Sequence, residues 1–167
     1  PFDSEGMKRF VVKLSGQYAN VCSGVVAARQ SISRILQERG VRTEIQIIPT
    51  GIDLKFFASG HGDRVREEFN LEKNTQIIGH VGRLAPEKNL TFLAGAVSKA
   101  MLEMPGSVFL LVGDGPSLPD IQGLLAQQGL DDRFIWTGKR SGQDLADAYA
   151  AMDLFAFASR TETQGLV

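Results

Sequence analysis

The sequence predicts an α/β protein built on a parallel sheet, and three observations carry that prediction. Between residues 76 and 157, four short apolar runs alternate with three stretches of helical spacing. One run, Ser107-Val108-Phe109-Leu110-Leu111-Val112, is apolar throughout after its first residue, as expected of a strand covered on both faces. Glycines follow the first three runs at Gly82, Gly113 and Gly138, where a chain must turn. In such sheets ligands bind outside the carboxyl ends of the strands, so the residues just after each run are the first candidates for function.

The elements follow in order. Phe10, Val11, Leu14 and Tyr18 stand at helical spacing within residues 6–20. Val21 to Ala28 is short, apolar and partly β-branched, which suits a buried strand. Ile32, Ile35 and Leu36 share a face over 31–39, with Gly40 as the stop. Residues 43–48 read as a strand closed by Pro49-Thr50-Gly51. This strand–helix–strand unit is too small for a domain, so residues 1–48 are expected to be the tail of one lying upstream. Residues 49–62, with Gly, Pro and Asp, read as an interdomain linker. Residues 63–167 form the second domain, opening on a charged surface helix over 63–70.

Strand 76–81 leads into a helix over about 89–103, with Leu90, Leu93, Val97, Ala100 and Met101 as its buried stripe. Strand 107–112 and the turn Gly113-Asp114-Gly115-Pro116 precede a helix marked by Leu118, Ile121, Leu124 and Leu125. Strand 133–137, a helix lined by Leu145, Ala146, Tyr149 and Ala150, and strand 153–157 complete the pattern.

Composition sets the outer bounds. The 167 residues carry a net charge of −1, with 43% apolar and 8% aromatic content, which fits a globular chain and not a disordered one. No apolar run approaches the roughly 20 residues of a membrane-spanning helix, and the first residues lack the features of a signal peptide. Cys22 is the one cysteine, so no internal disulfide can form and a reducing cytoplasm is expected. Its apolar neighbours predict a buried thiol. Residues 1–45 carry +3, leaving −4 for the remainder. The basic segment suits either a solvated helix face or a peripheral contact with an anionic membrane. No nucleic-acid partner is expected.

The stretch Gly82-Arg83-Leu84-Ala85-Pro86-Glu87-Lys88-Asn89 carries the chemistry. Arg83 at a strand end and Lys88 at the following helix start can converge on one volume, where a helix N-terminus is already partly positive. Such a corner fits a diphosphate, and Glu87 could cap the helix or fix the loop. Two ordinary surface cations remain the alternative here. The turn at Gly113 begins like a dinucleotide fingerprint, but Leu118 replaces the third glycine and Pro116 removes a donor, which argues against NAD. No stretch matches Gly-x4-Gly-Lys-Ser/Thr. His61 and His80 lack neighbours at ligand spacing, so no metal is expected; His80, inside an apolar strand, reads as a satisfied core histidine. Glu162, beside a polar loop and a glycine, suits the holding of sugar hydroxyls; an N-capping segment explains the same residues as well.

Taken together, Gly-Arg-Leu-x-Pro-Glu-Lys-Asn, Val-Gly-Asp-Gly-Pro, Thr-Gly and Ser-x-Thr-Glu-Thr-x-Gly-Leu-Val resemble the C-terminal half of retaining GT-B glycosyltransferases of family 4. Pro49-Thr50-Gly51-Ile52-Asp53 resembles that family's linker. The resemblance implies a Rossmann-like domain, half of a GT-B fold, that holds a nucleotide-sugar donor such as UDP-glucose or GDP-mannose, with no cofactor and no metal. By motif, Arg83, Lys88 and Glu162 would act in catalysis. Donor binding would fall to Gly82, Gly113, Lys139, Arg140, Thr163, Gln164, Gly165 and Leu166 as well. The second Glu of the family's Glu-x7-Glu motif falls past Val167. By the same resemblance, nearly all of the acceptor-binding domain and its catalytic histidine are expected to lie outside this sequence, so the fragment alone is expected to be inactive. Gln164 stands where the family more often has Phe, a form resembling the branch that glycosylates diacylglycerol and related lipids. The implied activity is hexose transfer to a lipid or glycan hydroxyl. A nucleotide-sugar epimerase of the same architecture and a non-catalytic nucleotide-diphosphate module are the alternatives.

Overall fold

The computed structural model describes residues 5–159, which fall into two compact units, one up to Ile52 and one from Asp53. In the first, α1 (Glu5–Ala19), β1 (Val25–Ala27), α2 (Gln30–Glu38) and β2 (Ile45–Ile47) follow one another. The strands pair in parallel, Val25 opposite Ile45 and Ala27 opposite Ile47, with α2 as the crossover. Asn20 ties the unit together. Its Nδ2 donates to the Gly40 carbonyl at 2.9 Å, and its Oδ1 accepts from the Arg42 backbone N–H at 2.6 Å.

Two expectations fail in this unit for one reason. The N–H groups of Val21 and Cys22 donate back to Tyr18 and Ala19, so the chain is still turning off α1 where a strand was expected. The strand therefore begins only at Val25, and Cys22 is exposed and not buried. The apolar stripe of α1 exists but is open, with Phe10 61% and Tyr18 74% exposed. Among the described residues, no helix is long and apolar enough to cross a membrane.

The second unit contains α3 (Leu54–Ala58), α4 (Gly62–Glu68), β3 (Gln76–Val81), α5 (Leu90–Glu103), β4 (Ser107–Val112), α6 (Leu118–Gln127), β5 (Phe134–Gly138), α7 (Gly142–Ala151) and β6 (Leu154–Phe155). The four strands form one parallel sheet in the order β5-β4-β3-β6. Strand β4 alternates between two cores. Phe109 and Leu111 pack with Leu93, Val97 and Met101 of α5 and Ile121 and Leu125 of α6, while Val108, Leu110 and Val112 pack with Val65 of α4 and Ala148 and Ala151 of α7. Helices on both faces explain why the strand could be apolar without interruption. The chain winds outward from β3 to β5, then α7 returns it across the sheet to β6. The winding therefore reverses between β3 and β6, and such a reversal opens a crevice at the strands' carboxyl ends.

Part of the stretch read as linker is folded. Helix α3 lies within it, capped by Asp53, whose carboxylate accepts the Phe56 N–H at 3.0 Å. Residues 60–62 lie against α7 so closely that a Cβ on Gly60 would fall 2.2 Å from the Ala146 carbonyl. Buried Asp147 locks that contact, accepting from the His61 backbone N–H at 2.8 Å, Gln143 Nε2 at 2.7 Å and Arg64 at 3.2 Å. Those donors, Gln143 foremost, hold its carboxyl below the usual range. At the amino end of the sheet, Arg133 donates to the carbonyls of Met101, Met104 and Ser107, closing the end of α5.

Because Gly60 has no room for a side chain, Gly60→Ala is expected to destabilise this unit by about 1–3 kcal/mol. Gly123→Ala, in mid-helix with open space around it, should stabilise by about 0.5–1 kcal/mol. Denaturant titrations followed by the fluorescence of the single tryptophan, Trp136, would read both signs.

Candidate functional site

Beyond Val81 and Val112 the two central strands end, yet their loops continue as a pair. Gly82 N–H donates to the Val112 carbonyl at 3.0 Å, Leu84 N–H to Asp114 at 2.9 Å, and Ser117 N–H to Leu84 at 2.9 Å. The backbones meet so tightly that a Cβ on Gly113 would stand 1.9 Å from the Gly82 carbonyl, and one on Gly115 2.4 Å from that of Leu84. Both glycines also hold a positive φ, 140° and 153°, which L side chains avoid. The Gly-x-Gly of this turn is thus required by loop-to-loop contact before any ligand is considered. Leu84 is fully buried and anchors the first loop. Its neighbour Arg83 stays exposed and pairs with Glu87 four residues on.

Lys88 does not open α5, as the sequence promised. It closes a separate turn of 3₁₀ helix, Pro86–Lys88, and Asn89 in the left-handed region (φ 55°) sets that turn apart from α5. Proline favours a first helical position, and asparagine tolerates the left-handed one. The turn is held to the exit of β6, where Ser159 Oγ donates to the Glu87 carbonyl at 3.5 Å.

Strand β5 supplies the third wall. Its register slips against β4: Leu111 faces Trp136, but Val112 faces Gly138, leaving Thr137 as a bulge. Gly138 takes φ 69°, and its carbonyl accepts the Gly113 N–H at 2.8 Å. Trp136 Nε1 donates to the Gly113 carbonyl at 2.8 Å, so Gly113 is gripped from both sides. The bulge delivers Lys139 and Arg140 to a cleft of about 640 Å³, together with Gly82, Arg83, Glu87 and Gly113. Arg140 is fixed there by Glu68 of α4, to which its two terminal nitrogens donate at 3.1 and 2.5 Å. That hydrogen-bonded carboxylate raises the Arg140 pKa further.

His80, near the end of β3, lies at the reversal point. Nδ1 sits 2.9 Å from the Ala156 carbonyl, an acceptor only, so Nδ1 carries the proton and Nε2 the lone pair. The ring lies near-parallel to Phe155 and Phe157, with centroids 6.2 and 6.0 Å away. It is a core histidine, as expected, but half satisfied: among the described residues Nε2 has no partner. Burial chiefly, and the charge of Lys88, lower its pKa, while the bond to Ala156 opposes them.

The structure therefore brings Gly82, Arg83, Gly113, Lys139 and Arg140 to one cleft and sets Lys88 in the turn beside its Glu87 wall. Glu162, Thr163, Gln164, Gly165 and Leu166 lie outside the described residues. Sequence reasoning missed Glu68 and Trp136. Glu68 sits in a charged helix that gives no sign of its distant partner, and only the Trp136 indole N–H, which needs an acceptor when covered, hinted at a role. Among the described residues, no group of three His, Cys, Asp or Glu side chains could hold a metal ion.

A parallel sheet with a cationic cleft beside its reversal point defines an α/β domain suited to a phosphorylated ligand. The chain belongs to the family Glycosyl transferases group 1, which matches residues 75–167. It is 35% identical over 132 residues to the D-inositol 3-phosphate glycosyltransferase of Mycolicibacterium smegmatis, covering 75% of this chain and 29% of the relative. It is 26% identical over 170 residues to the alpha-monoglucosyldiacylglycerol synthase of Acholeplasma laidlawii, covering 99% and 43% respectively. Anabaena HepE, solved in complex with UDP-glucose, superposes with a TM-score of 0.73 at 26% identity, over 93% of this chain and 43% of that one. Sucrose-phosphate synthase from Thermosynechococcus elongatus does so with a TM-score of 0.76 at 25% identity, over 98% and 42%. These neighbours are GT-B enzymes, and the α/β architecture with parallel sheets corresponds to a C-terminal half of that fold. The chain spans about a third of the length of the curated relatives it matches.

The histidine makes a pH prediction. Its folded pKa lies below the ordinary 6.5, so the unfolded chain takes up the proton first. Stability from neutral His80 is complete above that value and lost as pH falls below it. Unfolding midpoints should drop between pH 7.5 and 5.5, and His80→Phe should flatten that slope.

Proposed function

We infer that this chain is the donor-binding part of a retaining glycosyltransferase, which moves a hexose from a nucleotide-diphosphate sugar to a hydroxyl of a lipid or glycan. The observation that carries this is the position of Arg83 and Lys88, at and beside a cleft next to the reversal point of a parallel sheet. Family membership supports it, as do relatives named as sugar transferases.

The chemistry follows from charge. As the sugar–oxygen bond breaks, negative charge grows on the departing diphosphate, and fixed cations aimed there lower the barrier. Arg83 is paired with Glu87, but both side chains are well exposed. Such a pair contributes about 0.2–1 kcal/mol, whereas a charge-assisted bond to phosphate contributes about 1.5–3 kcal/mol. The diphosphate therefore wins Arg83 from Glu87. Lys139 and Arg140, two strands away from the reversal, suit the nucleoside end, and the segment around Glu162 the sugar. No resident cofactor is invoked, since the two cations stand where charge develops.

Residues 1–48 are read as the tail of an acceptor-side domain, in keeping with the open apolar stripe of α1 and with the share of the relatives that the chain spans. The printed names of relatives include glycolipid synthases, which supports a lipid acceptor and a peripheral place at the inner membrane face.

Calorimetric titration with UDP, GDP and ADP tests the reading. One of them should bind, and Arg83→Ala and Lys88→Ala should each weaken it about ten- to a hundredfold. If all three nucleotides fail to bind the folded protein, or if both variants bind as tightly as the parent, the diphosphate assignment is wrong.

A further inference from the structure

His80 is a buried group in this region whose chemistry the diphosphate does not use. The residue is 1% exposed, and Nε2 is a buried nitrogen without a hydrogen-bond partner among the described residues. An unmet buried acceptor costs about 1–3 kcal/mol. Phenylalanine would fill the same space against Phe155 and Phe157 without that cost. A cost of this kind calls for a partner that arrives from outside.

The direction of Nε2 says where. A Cβ built on Gly82 would stand 3.2 Å from it, and Gly82 lines the cleft. Gly82, which has no side chain at that point, stands between the imidazole and the cleft. The nature of the partner follows from the tautomer. With its proton on Nδ1, held by the Ala156 carbonyl, the ring offers Nε2 as an acceptor only. Burial and Lys88 keep it in that neutral form. An ionised phosphate oxygen has no proton to give, so the diphosphate cannot satisfy it. The loop with Lys139 and Arg140 follows β5, two strands from β3 in the sheet order, whereas His80 sits where β3 adjoins β6. The nucleoside is therefore the far end, and a sugar hydroxyl is the donor left at the near end.

We propose that His80 is a donor-binding residue whose Nε2 accepts a hydrogen bond from a hydroxyl of the sugar being transferred. The proposal rests on the nucleotide-sugar reading above and adds a contact that discriminates the conjugate from the free nucleotide.

The test uses the protein labelled with ¹⁵N-histidine, whose two histidines, His61 and His80, give a readable spectrum. UDP-glucose, GDP-mannose, UDP and GDP are titrated in turn. The expected result is that the unprotonated Nε2 resonance of His80 moves on binding of a conjugate and stays in place on binding of its free nucleotide. In calorimetry, His80→Asn keeps an amide N–H for Ala156 but is too short to hold an acceptor at the Nε2 position, its Oδ1 taking the place of the ring Cδ2. It should weaken the conjugate about three- to tenfold and leave the free nucleotide unchanged. An Nε2 signal that stays fixed at saturation with conjugate overturns the proposal, as does an equal loss for conjugate and nucleotide in the variant. If neither binds the wild type, the nucleotide-sugar reading falls and the proposal with it, an outcome distinct from normal binding with a fixed Nε2. If His80→Asn fails to fold by thermal melting, the wild-type spectrum decides alone.

Discussion

The backbone contact between Gly82 and Gly113 is the constraint on which the site depends. Two loops leaving adjacent strands must touch, carbonyl against α-carbon, for Leu84 to enter the core and Arg83 to remain at the mouth. Three N–H donations across the gap, from Gly82, Leu84 and Ser117, extend the ladder past the strands. Gly113 is held in turn by the Gly138 carbonyl and the Trp136 indole. One residue without a side chain thus fixes the ends of β3, β4 and β5 against each other. The cation at the first end and the pair at the third acquire set positions by this means, without relying on their own long, flexible side chains.

The rest of the unit keeps that junction in place. Uninterrupted apolar packing on both faces of β4 makes the sheet rigid at its centre. At the opposite edge, Arg133 and the Arg66–Asp153 pair close the amino ends of the strands. Helix α4 serves both ends of the sheet: Arg66 pairs with Asp153 at the amino end, and Glu68 reaches Arg140 at the cleft. The docking of residues 60–62 on α7 through Asp147 places α4 for that contact. A remote helix thereby sets the geometry of a cleft residue.

Much of this was legible in the sequence. The four strands and the three helices between them appear where periodicity placed them, because both signals arise from burial on a covered parallel sheet. The glycines at 82, 113 and 138 marked the right edge. What periodicity could not carry was anything set by contact at long range. Glu68 is an ordinary charge until α4 packs beside β5. The left-handed Asn89, which moves Lys88 off the helix start, leaves no periodic trace. Cys22 looked buried among apolar neighbours, but the turning chain after α1 left it outside. The second nitrogen of His80 is a matter of tautomer and direction, which residue type alone does not fix.

The central claim is that loop pairing sets Arg83 and Lys88 around a diphosphate at the reversal of the sheet. A crystal structure of the protein with the nucleoside diphosphate it binds tests this most directly. The account predicts phosphates over the Gly82 backbone, between the Arg83 and Lys88 side chains, with the nucleoside toward Lys139 and Arg140. A nucleotide bound elsewhere on the domain, or one seated in the cleft with its phosphates turned away from both cations, would contradict it.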